Sequence, residues 1–433
     1  METEELVYVQ DKYGNPLMPT SRRGKVTHML KDGRAVIIDY EPFTIQLTYE
    51  LERVYVQKCS VGVDTGSKHV GVSVTTKERE LFRLEANIRG HEVKENIDTR
   101  RANRRGRRYR KCRYRKPRFL NRKASKKPGW TAPSINHRIE THKKILKIVD
   151  RILPVPNVNL EIGLFDTQKI ENPDIKNEEY QHGQMEGFEN EKTFVRFRDG
   201  NKCAICGKTA KEAKKNMEVH HIQTRSDGGS DRPDNLVCLC HDCHKKLHIG
   251  KVSLPKLNLS QKNAKSLRDA AAMNIFGQKL FEEVKQMFPN KKVRYTFGSY
   301  TKFQRSLNKI EKSHTNDARV ISGNPDVKTL GYIFKMVQLR RHNRQLHKMN
   351  FQKGHIRKRH QAAKYVNGFM LHDKVLIKTT RQIGYIGGRM STGYADVRNI
   401  NNKKIHEKTV LPMYNLKLIR HPSWMIFEKS YDE

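Results

Sequence analysis

Apolar residues alternate with polar ones, or form short continuous runs, in a way that predicts two β-sheets near the start of the chain. Residues 1–58 contain strand-like segments such as LVYVQ, RAVIIDY and FTIQLTYE, which predict a small β-rich module. From residue 59 the run VGVDTGSKHVGVSV indicates two apolar strands joined by a tight turn at Gly66, and ELFRLEA indicates a third. A second sheet therefore begins near residue 59.

The elements that complete this second sheet lie far along the chain. Apolar residues recur at helical spacing over 139–152, stop before a proline, and are followed by the buried strand VNLEIGLF. A second helical pattern over 264–288 precedes the strand VRYTF and the segment SHTNDARVIS, which indicates a helix with Ser313 as its N-cap. The pattern predicts an α/β core that is interrupted twice by other segments.

The first interruption is dominated by arginine. Between Arg100 and Lys123, 14 of 24 residues are Arg or Lys and none is acidic. Because arginine is preferred for planar, bidentate contact with phosphate, we expect this segment to lie between strands of nucleic acid. The alternative is a disordered basic tail, and the position of the segment between two core strands argues against it. The arginines concerned are Arg100, Arg101, Arg104, Arg105, Arg107, Arg108, Arg110, Arg113 and Arg115.

The whole chain shares this basic character. Its 433 residues include 86 Lys and Arg against 46 Asp and Glu, a formal charge of +40, which indicates a polyanionic partner. A chain of this length is expected to form several domains. No run approaches the roughly 18 apolar residues of a membrane span, and the first ten residues lack the apolar region of a signal peptide. We therefore expect a cytoplasmic protein that does not act at a membrane.

The second interruption is rich in cysteine and histidine. Cys203-x-x-Cys206 is followed, after 33 residues, by Cys240-x-x-Cys243. This spacing is typical of a structural Zn²⁺ ion that closes a loop too small to fold around a core of its own. Within the loop, EVHHIQTRSDGGSDRPDNLVCLCHDCHKKLH resembles the HNH (ββα-metal) nuclease motif almost residue for residue.

The spacing of the histidines in this motif is chemically informative. His220 and His221 are adjacent on a strand and point to opposite faces, so one can bind metal while the other faces the substrate. His244 and His248 share one helical face. The resemblance implies that His221 is the general base, that His220 with His244 or His248 holds Mg²⁺, and that Asn235 orients the loop or ligates the ion. The alternative is a zinc finger that only reads DNA, which would not need His221 beside His220.

Four residues of the interrupted core form a second set. Asp64 ends an apolar strand, Glu161 lies in VNLEIG, and His314 and Asp317 are three apart in SHTNDARVIS. Together they fit the RNase H-like RuvC pattern, in which acids from two strands and a helix converge on two Mg²⁺ ions about 3.5 to 4 Å apart. Hard dications require several carboxylates, and buried like charges are tolerable only when the metal is present. We expect His314 to contact the attacking water or the scissile phosphate.

The order of these features resembles the IscB family, transposon-encoded relatives of the CRISPR nucleases that cut DNA with a guide RNA. That order is acidic strand, arginine-rich bridge helix, second acidic strand, HNH module and His-x-x-Asp helix. The resemblance covers nearly the whole chain and includes Pro16-Leu17-Met18-Pro19, Trp130 in GWTAPS and the run RRHNRQ at 340–345. It implies an α/β multidomain fold with an RNase H-like (RuvC) core, split by the bridge helix and by a ββα-metal HNH insertion, and with β-rich N- and C-terminal domains.

The resemblance also implies domain boundaries and nucleic-acid contacts. The C-terminal domain, with eight Arg or Lys and no acid over 340–360, is expected to read the DNA motif beside the target. Its expected contacts are Arg340, Arg341, Arg344, Arg389, Tyr394 and Arg398. The implied domains are a PLMP-type domain (1–58), RuvC-I (59–95), the bridge helix (96–127), RuvC-II (128–170), a linker (171–187), HNH (188–249), a linker (250–261), RuvC-III (262–327) and the C-terminal domain (328–433).

The implied function is RNA-guided DNA cleavage, in which the HNH site cuts the guide-paired strand and the RuvC site cuts the displaced strand. The cofactors would be two Mg²⁺ ions at the RuvC site, one at the HNH site, and a structural Zn²⁺. The partners would be a structured noncoding guide RNA (omega RNA) and double-stranded target DNA, bound by a monomeric protein. Two alternatives remain: a protein-guided homing or restriction endonuclease, which the bridge helix disfavours, and a catalytically decayed RNA-binding transposon accessory protein, which the complete residue sets disfavour.

Overall fold

The protein is described by a computed structural model over residues 5–108, 129–163, 185, 187–214, 217–225, 227, 229–255, 268–340, 363–406 and 410–431. It divides into two compact units, the first formed by Met1–Gly163 with Phe276–Glu433 and the second by Leu164–Ile275. Within the described ranges, no helix combines the length and the apolar character that a bilayer crossing requires.

The helices and strands have the following bounds. The described helices are α1 (Arg23–Lys31), α2 (Gly90–Arg108), α3 (Pro133–Ile152), α4 (Glu191–Arg198), α5 (His241–His248), α6 (Arg268–Met287), α7 (Gly298–Leu307) and α8 (His314–Ser322). The described strands are β1 (Tyr8–Gln10), β2 (Ala35–Tyr40), β3 (Phe43–Leu47), β4 (Ser60–Asp64), β5 (His69–Thr75), β6 (Glu80–Asn87), β7 (Asn157–Ile162), β8 (Glu218–His221), β9 (Leu236–Leu239), β10 (Lys292–Phe297), β11 (Tyr332–Gln338), β12 (Lys374–Ile377), β13 (Ile383–Arg389), β14 (Tyr394–Arg398), β15 (Leu411–Pro412), β16 (Leu416–Arg420) and β17 (Met425–Tyr431).

The N-terminal part of the first unit is a small sheet covered by one helix. Its strands have the order β1-β3-β2, with β1 parallel and β2 antiparallel to β3. Helix α1 buries Val26 and Met29 against Ile45 of β3. The alternating segments lie in strands as predicted, whereas α1 was not predicted, because its nine residues offer only a short apolar stripe.

A seven-stranded sheet forms the centre of the first unit. Its strand order is β10-β7-β4-β5-β6-β11-β17. Strands β4, β5 and β6 pair antiparallel in succession, whereas β7 is parallel to β4 and β10 is parallel to β7. Helix α3 buries Ile139, Ile145 and Val149, which lie on one face of the helix at helical spacing. The segments predicted to resume the interrupted core therefore belong to this sheet as expected, with β7 beside β4 and β10 beside β7.

Helix α8 lies directly against strands β4 and β5. A Cβ atom at Gly62 would lie 2.0 Å from the carbonyl oxygen of Ala318, and one at Gly71 would lie 1.8 Å from the carbonyl oxygen of His314. The helix backbone thus contacts the sheet backbone without intervening side chains. At its start, the side chain of Ser313 accepts a hydrogen bond from the Asn316 amide, which confirms the predicted N-cap.

Replacing Gly71 with alanine is expected to lower the free energy of unfolding by about 1–3 kcal/mol or more, because the added methyl group must displace the α8 backbone. Urea denaturation followed by circular dichroism would measure this change. Gly24→Ala on α1 is the matched control, since a Cβ there has no atom within 4 Å. Equal stability of the two variants would contradict the close contact.

The C-terminal part of the first unit contains a five-stranded antiparallel sheet of order β15-β14-β13-β12-β16. Strands β11 and β17, which were expected in the C-terminal domain that starts at residue 328, belong instead to the central sheet. There β11 is parallel to β6, and β17 is antiparallel to β11 with Gln338 opposite Met425. The sequence did not place these strands in the central sheet, because alternation predicts a strand and not its pairing partner.

The second unit is built around the β8–β9 hairpin and helices α4 and α5. Strand β8 pairs antiparallel with β9, with His221 opposite Leu236. Its small core combines Met217, Val237 and Leu239 with cysteine side chains. So few apolar side chains indicate that this unit needs a further source of stability.

Candidate functional site

Four cysteine thiols converge in the second unit. The Sγ atoms of Cys203, Cys206, Cys240 and Cys243 lie within 4.8 Å of one another, and those of Cys206 and Cys240 are 3.7 Å apart. A tetrahedral Zn²⁺ ion with Zn–S bonds of about 2.3 Å holds its sulfurs about 3.8 Å apart. Although burial opposes it, backbone hydrogen bonds lower the pKa of the Cys203 thiol to about 7. The predicted four-cysteine cluster is therefore present, and its donors fit a structural zinc ion.

Three histidine nitrogens converge beside it. Nε2 of His244 lies 3.1 Å from Nδ1 of His220, and Nε2 of His248 lies 3.1 Å from Nε2 of His244. Burial, followed by the neighbouring imidazoles, lowers the pKa of His220 to about 4, so this ring is neutral near pH 7, as a metal ligand must be. The sequence left open whether His244 or His248 joins His220, and the structure brings both to it.

The three nitrogen donors favour some metal ions over others at this cluster. Imidazole nitrogen suits Zn²⁺, Ni²⁺ and related transition ions, whereas Mg²⁺ prefers oxygen ligands. The Mg²⁺ expected at the HNH site is therefore a poor match for the donors, and a divalent transition ion fits them. When bound there, such an ion would supply Lewis-acid stabilisation of a leaving oxygen.

Glu218 on β8 holds two histidines of α5 in place. Its Oε1 accepts a hydrogen bond from Nδ1 of His241 at 2.7 Å, and its Oε2 accepts one from Nδ1 of His244. These histidines, His241 first, lower the pKa of Glu218. A proton held on Nδ1 directs the Nε2 lone pair of His244 to the cluster. Glu218 was not predicted from the sequence, although its place two residues before His220 puts both on one face of the strand.

Replacing Glu218 with glutamine is expected to weaken metal binding at the three-histidine cluster by about 10- to 100-fold, because the amide no longer fixes the tautomer of His244. Titration with Co²⁺ would measure this, since nitrogen and thiolate sites differ in absorption. Glu212→Gln is the matched control, because Glu212 bonds the Thr209 amide of the same unit. Unchanged Co²⁺ affinity in Glu218→Gln would contradict the assigned contact.

His221 faces away from the three-histidine cluster. Its Nε2 lies 2.8 Å from Oδ1 of Asp231, an oxygen that also bonds Nε of Arg225 at 2.7 Å. A proton held on Nε2 by this carboxylate leaves Nδ1 as the basic nitrogen of the ring. The arrangement can therefore orient a neutral imidazole to accept a proton. Asp231 was not predicted from the sequence.

Asn235 is fully buried, and its side chain forms hydrogen bonds with the backbone of the loop after β8. Its Oδ1 accepts from the Gln223 amide at 2.9 Å, and its Nδ2 donates to the carbonyl oxygens of Gln223 at 3.0 Å and Ser230 at 2.7 Å. The oxygen and the nitrogen of the side-chain amide are thus both hydrogen-bonded to the backbone. Of the two roles left open for Asn235, this geometry fits loop orientation, and direct metal ligation or catalysis does not fit it.

In the first unit, the four residues of the predicted carboxylate set lie together. Asp64 ends β4 and Glu161 lies on the neighbouring strand β7, where Val63 pairs with Leu160. Nδ1 of His314, the first residue of α8, donates to Oδ2 of Asp64 at 2.6 Å, and Asp317 follows one turn later. We refer to Asp64, Glu161, His314 and Asp317 as the carboxylate centre.

The carboxylate centre brings three carboxyl groups close together where they are partly shielded from water. Burial, and then the charges of Asp64 and Asp317, raise the pKa of Glu161. Burial likewise raises the pKa of Asp317, which forms an ion pair of 3.1 Å with Nε of Arg305. Divalent cations would relieve this repulsion, and carboxylate oxygens are the ligands that Mg²⁺ prefers. Among the described residues, only the cysteine and histidine clusters have donor atoms close enough together to bind one shared ion. The carboxylate oxygens of this centre are therefore farther apart than a site for a single ion requires.

Helix α7 supplies two contacts to the carboxylate centre that the sequence analysis missed. Oγ1 of Thr301 donates to Oε2 of Glu161 at 2.5 Å, and Arg305 pairs with Asp317. The signal available in the sequence is the four-residue spacing of Thr301 and Arg305 in a helix that directly follows strand β10. That signal becomes informative only when β10 is known to lie beside β7.

The arginine-rich segment is described only in part. Helix α2 starts at Gly90, six residues before the expected boundary, and the side chains of Arg100, Arg101, Arg104 and Arg105 are exposed along it. The predicted contacts that lie outside the described residues are Arg110, Arg113, Arg115, Arg341 and Arg344, together with the side chains of Arg107 and Arg108. Arg340 is the last described residue before the next gap.

The arginines expected to contact the DNA groove are engaged within the C-terminal part of the first unit. Nη1 of Arg389 donates to the carbonyl oxygen of Phe369 at 3.2 Å, and Nε of Arg398 donates to Oδ2 of Asp396 at 2.7 Å. These guanidinium groups form hydrogen bonds within this part of the unit, and their contacts with a DNA groove remain a prediction. Tyr394 is exposed.

Two protein families match parts of the chain. Residues 7–183 match the family described as RRXRR protein, and residues 203–249 match the HNH endonuclease family. The chain therefore contains an HNH endonuclease domain, and this domain includes both the cysteine cluster and the three-histidine cluster. The first match includes the arginine-rich helix, where residues 104–108 read RRGRR.

Similarity to individual proteins is limited to parts of their length. The type IV methyl-directed restriction enzyme EcoKMcrA of Escherichia coli (strain K12) is 38% identical over 77 residues, which are 17% of this chain and 24% of that enzyme. Streptococcus thermophilus Cas9 in complex with the AGAA PAM aligns at 15% identity over 45% of this chain and 26% of that chain, with a TM-score of 0.33. The Type II-C Cas9 enzyme from Actinomyces naeslundii aligns at 11% identity over 62% and 60%, with a TM-score of 0.24. At these TM-scores no shared overall fold follows, and function has to be inferred from the sites.

Proposed function

We propose that this chain is an RNA-guided DNA endonuclease with two hydrolytic sites. The observation that carries the proposal is that one chain holds both an HNH domain with converging histidines and a separate carboxylate centre. Two independent centres fit an enzyme that cuts each strand of a duplex once. On this proposal the second unit is the HNH insertion, and the first unit is the split RuvC core with its N- and C-terminal domains.

At the HNH site, each residue has a distinct role in phosphodiester hydrolysis. His220, His244 and His248 would hold a divalent ion, and Glu218 would orient His244. His221, oriented by Asp231, would act as general base and remove a proton from the attacking water. Asn235 would keep the intervening loop in position. The site is proposed to cut the strand that pairs with the guide.

At the carboxylate centre, Asp64, Glu161 and Asp317 would hold two Mg²⁺ ions, which when bound stabilise the attacking and leaving oxygens. His314 is oriented by Asp64 and by the ring of His69, which stacks on it with centroids 5.4 Å apart. The strand order β6-β5-β4-β7-β10, with three antiparallel strands followed by two parallel ones, supports an RNase H-like core. The centre is proposed to cut the displaced strand.

RNA guidance is supported by charge. The chain carries a formal charge of +40, and the exposed arginines of α2 form a surface suited to phosphate backbones. The direct test is to sequence the RNA that copurifies with the protein expressed beside its native flanking DNA. One abundant noncoding species is expected, and RNase treatment should then abolish targeted cutting. Short random fragments, together with cutting that resists RNase, would overturn RNA guidance.

A second candidate is a protein-guided restriction-type endonuclease. The 38% identity to a methyl-directed restriction enzyme over 77 residues favours it. The two candidates differ in the RNase test, because a protein-guided enzyme keeps its site preference without RNA. A catalytically decayed RNA-binding accessory protein is disfavoured, since both sets of site residues are retained with mutual contacts.

A further inference from the structure

Helix α7 and the strand before it carry an exposed aromatic surface. On α7, Tyr300, Phe303 and Leu307 are 53%, 62% and 65% exposed, and their spacing places them on one side of the helix. Tyr295 and Phe297 of strand β10 are also exposed, with ring centroids 5.5 Å apart. We call these five side chains the aromatic face of α7. Clustered exposed apolar groups of this kind mark interaction sites.

The opposite side of the same helix belongs to the carboxylate centre. Thr301 is buried and donates to Glu161, while Arg305 pairs with Asp317. Helix α7 has ten residues and is therefore about 15 Å long. A chain that lies along the aromatic face is therefore separated from the groups proposed to hold the catalytic ions by one helix diameter, about 10–12 Å.

The charge around the aromatic face indicates the chemistry of its partner. Residues 291–312 contain seven Lys or Arg and a single acid, Glu311. Arg294, Lys302 and Lys309 are exposed in this same segment of the chain. Aromatic rings interleaved with cations are typical of surfaces that bind single-stranded nucleic acid, where rings stack on bases and cations follow the phosphates. An apolar protein partner would have no need for these cations.

We propose that the aromatic face of α7 is a base-stacking platform for the single DNA strand that the carboxylate centre cuts. Tyr300 and Phe303 then select single-stranded over double-stranded DNA, because bases within a duplex have no ring face available for stacking. This inference rests on the proposed nuclease function of the carboxylate centre. The inference adds the residues that bind the DNA substrate of that centre.

The first test needs no catalysis. The full-length protein is mixed in EDTA with an oligodeoxynucleotide that contains 5-iododeoxyuridine, irradiated, and digested for mass spectrometry. Crosslinks are expected at Tyr300 or Phe303, and they should fall about tenfold or more in the double variant Tyr300→Ala with Phe303→Ala. Tyr40→Ala is the matched control, since Tyr40 is a 69% exposed aromatic residue on edge strand β2 of the same unit.

The second test measures cutting of a single-stranded substrate in Mg²⁺. The double alanine variant is expected to raise KM by about 10- to 100-fold, the loss expected when one base–aromatic stack is removed. The variant Tyr300→Phe with Phe303→Tyr keeps both rings and should restore the wild-type KM. A role in packing alone would instead leave KM unchanged in the alanine variant and lower its thermal stability.

The outcomes separate this inference from the proposed function. If the wild-type protein cuts in Mg²⁺ but shows no crosslink on α7 and the alanine variant keeps its KM, the stacking platform is overturned and the nuclease stands. If the wild-type protein does not cut DNA, the proposed function is wrong. The crosslinks formed in EDTA would still show whether single-stranded DNA binds to the aromatic face of α7. An RNA oligonucleotide of the same sequence that displaces the DNA from α7 would assign the surface to RNA and overturn the proposal.

Discussion

Replacing Asp64 with alanine is expected to slow cutting of the displaced strand by about 10³-fold or more, while the guide-paired strand is still cut. Asp64 is a proposed ion ligand that also orients His314, so the change removes both contributions from the carboxylate centre. Loss of about 4 kcal/mol of transition-state stabilisation by the ions corresponds to that factor. Cleavage of a duplex with differently labelled strands measures both rates in one reaction.

His221→Ala is the matched variant for the other strand. A general base typically contributes about 10²- to 10⁴-fold, so the guide-paired strand should be cut more slowly by that factor while the displaced strand is still cut. Each variant then serves as the folding control for the other. If both variants leave the same strand intact, the proposed division between the two sites is refuted.

Removing zinc from the cysteine cluster is expected to unfold the second unit. Structural Zn²⁺ contributes about 10–16 kcal/mol in zinc-finger peptides, which is as large as the total stability of a typical domain, about 5–15 kcal/mol. The unit has only a small apolar core in which the cysteines themselves take part. Cys240→Ser, or a chelator, should therefore make residues 188–249 sensitive to protease, which limited proteolysis with mass spectrometry would detect.

Cys238→Ala provides the control for this experiment. Cys238 is a buried cysteine of the same unit that does not belong to the cluster. Its replacement should leave the zinc content per chain equal to that of the wild-type protein by elemental analysis. Continued protease resistance of the second unit after zinc removal would show that its apolar core is sufficient.

Local patterns in the sequence predicted the elements whose causes are local. Apolar runs on either side of a turn at Gly66 located β4 and β5, helical spacing located α3, and the N-cap position of Ser313 located the start of α8. The two C-x-x-C pairs predicted the cysteine cluster, because ligand spacing and metal geometry are directly linked. Clusters formed by residues close in sequence were thus accessible without a structure.

Features that depend on pairing between distant segments were not accessible in this way. The membership of β11 and β17 in the central sheet is set by hydrogen bonds to strands far away in sequence. Thr301 supports Glu161 only because β10 lies beside β7. The hydrogen bond between Arg398 and Asp396 likewise did not follow from the sequence, because the preference of arginine for nucleic acid says nothing about its neighbours in the fold.

The pairing of β11 with β17 has a consequence for how this protein can vary. The chain leaves the central sheet after Gln338 and returns at Met425, and these two residues face each other across the ladder. The Leu339 amide donates to the Trp424 carbonyl oxygen at 2.9 Å, so the two connections are adjacent. Strands β12 to β16, which form the C-terminal sheet, lie between β11 and β17 in the sequence. An inserted segment whose two ends lie close together can be exchanged without changing the pairing of the sheet that holds it. Recombination at these two positions is therefore expected to exchange the C-terminal sheet without changing the strand order of the central sheet.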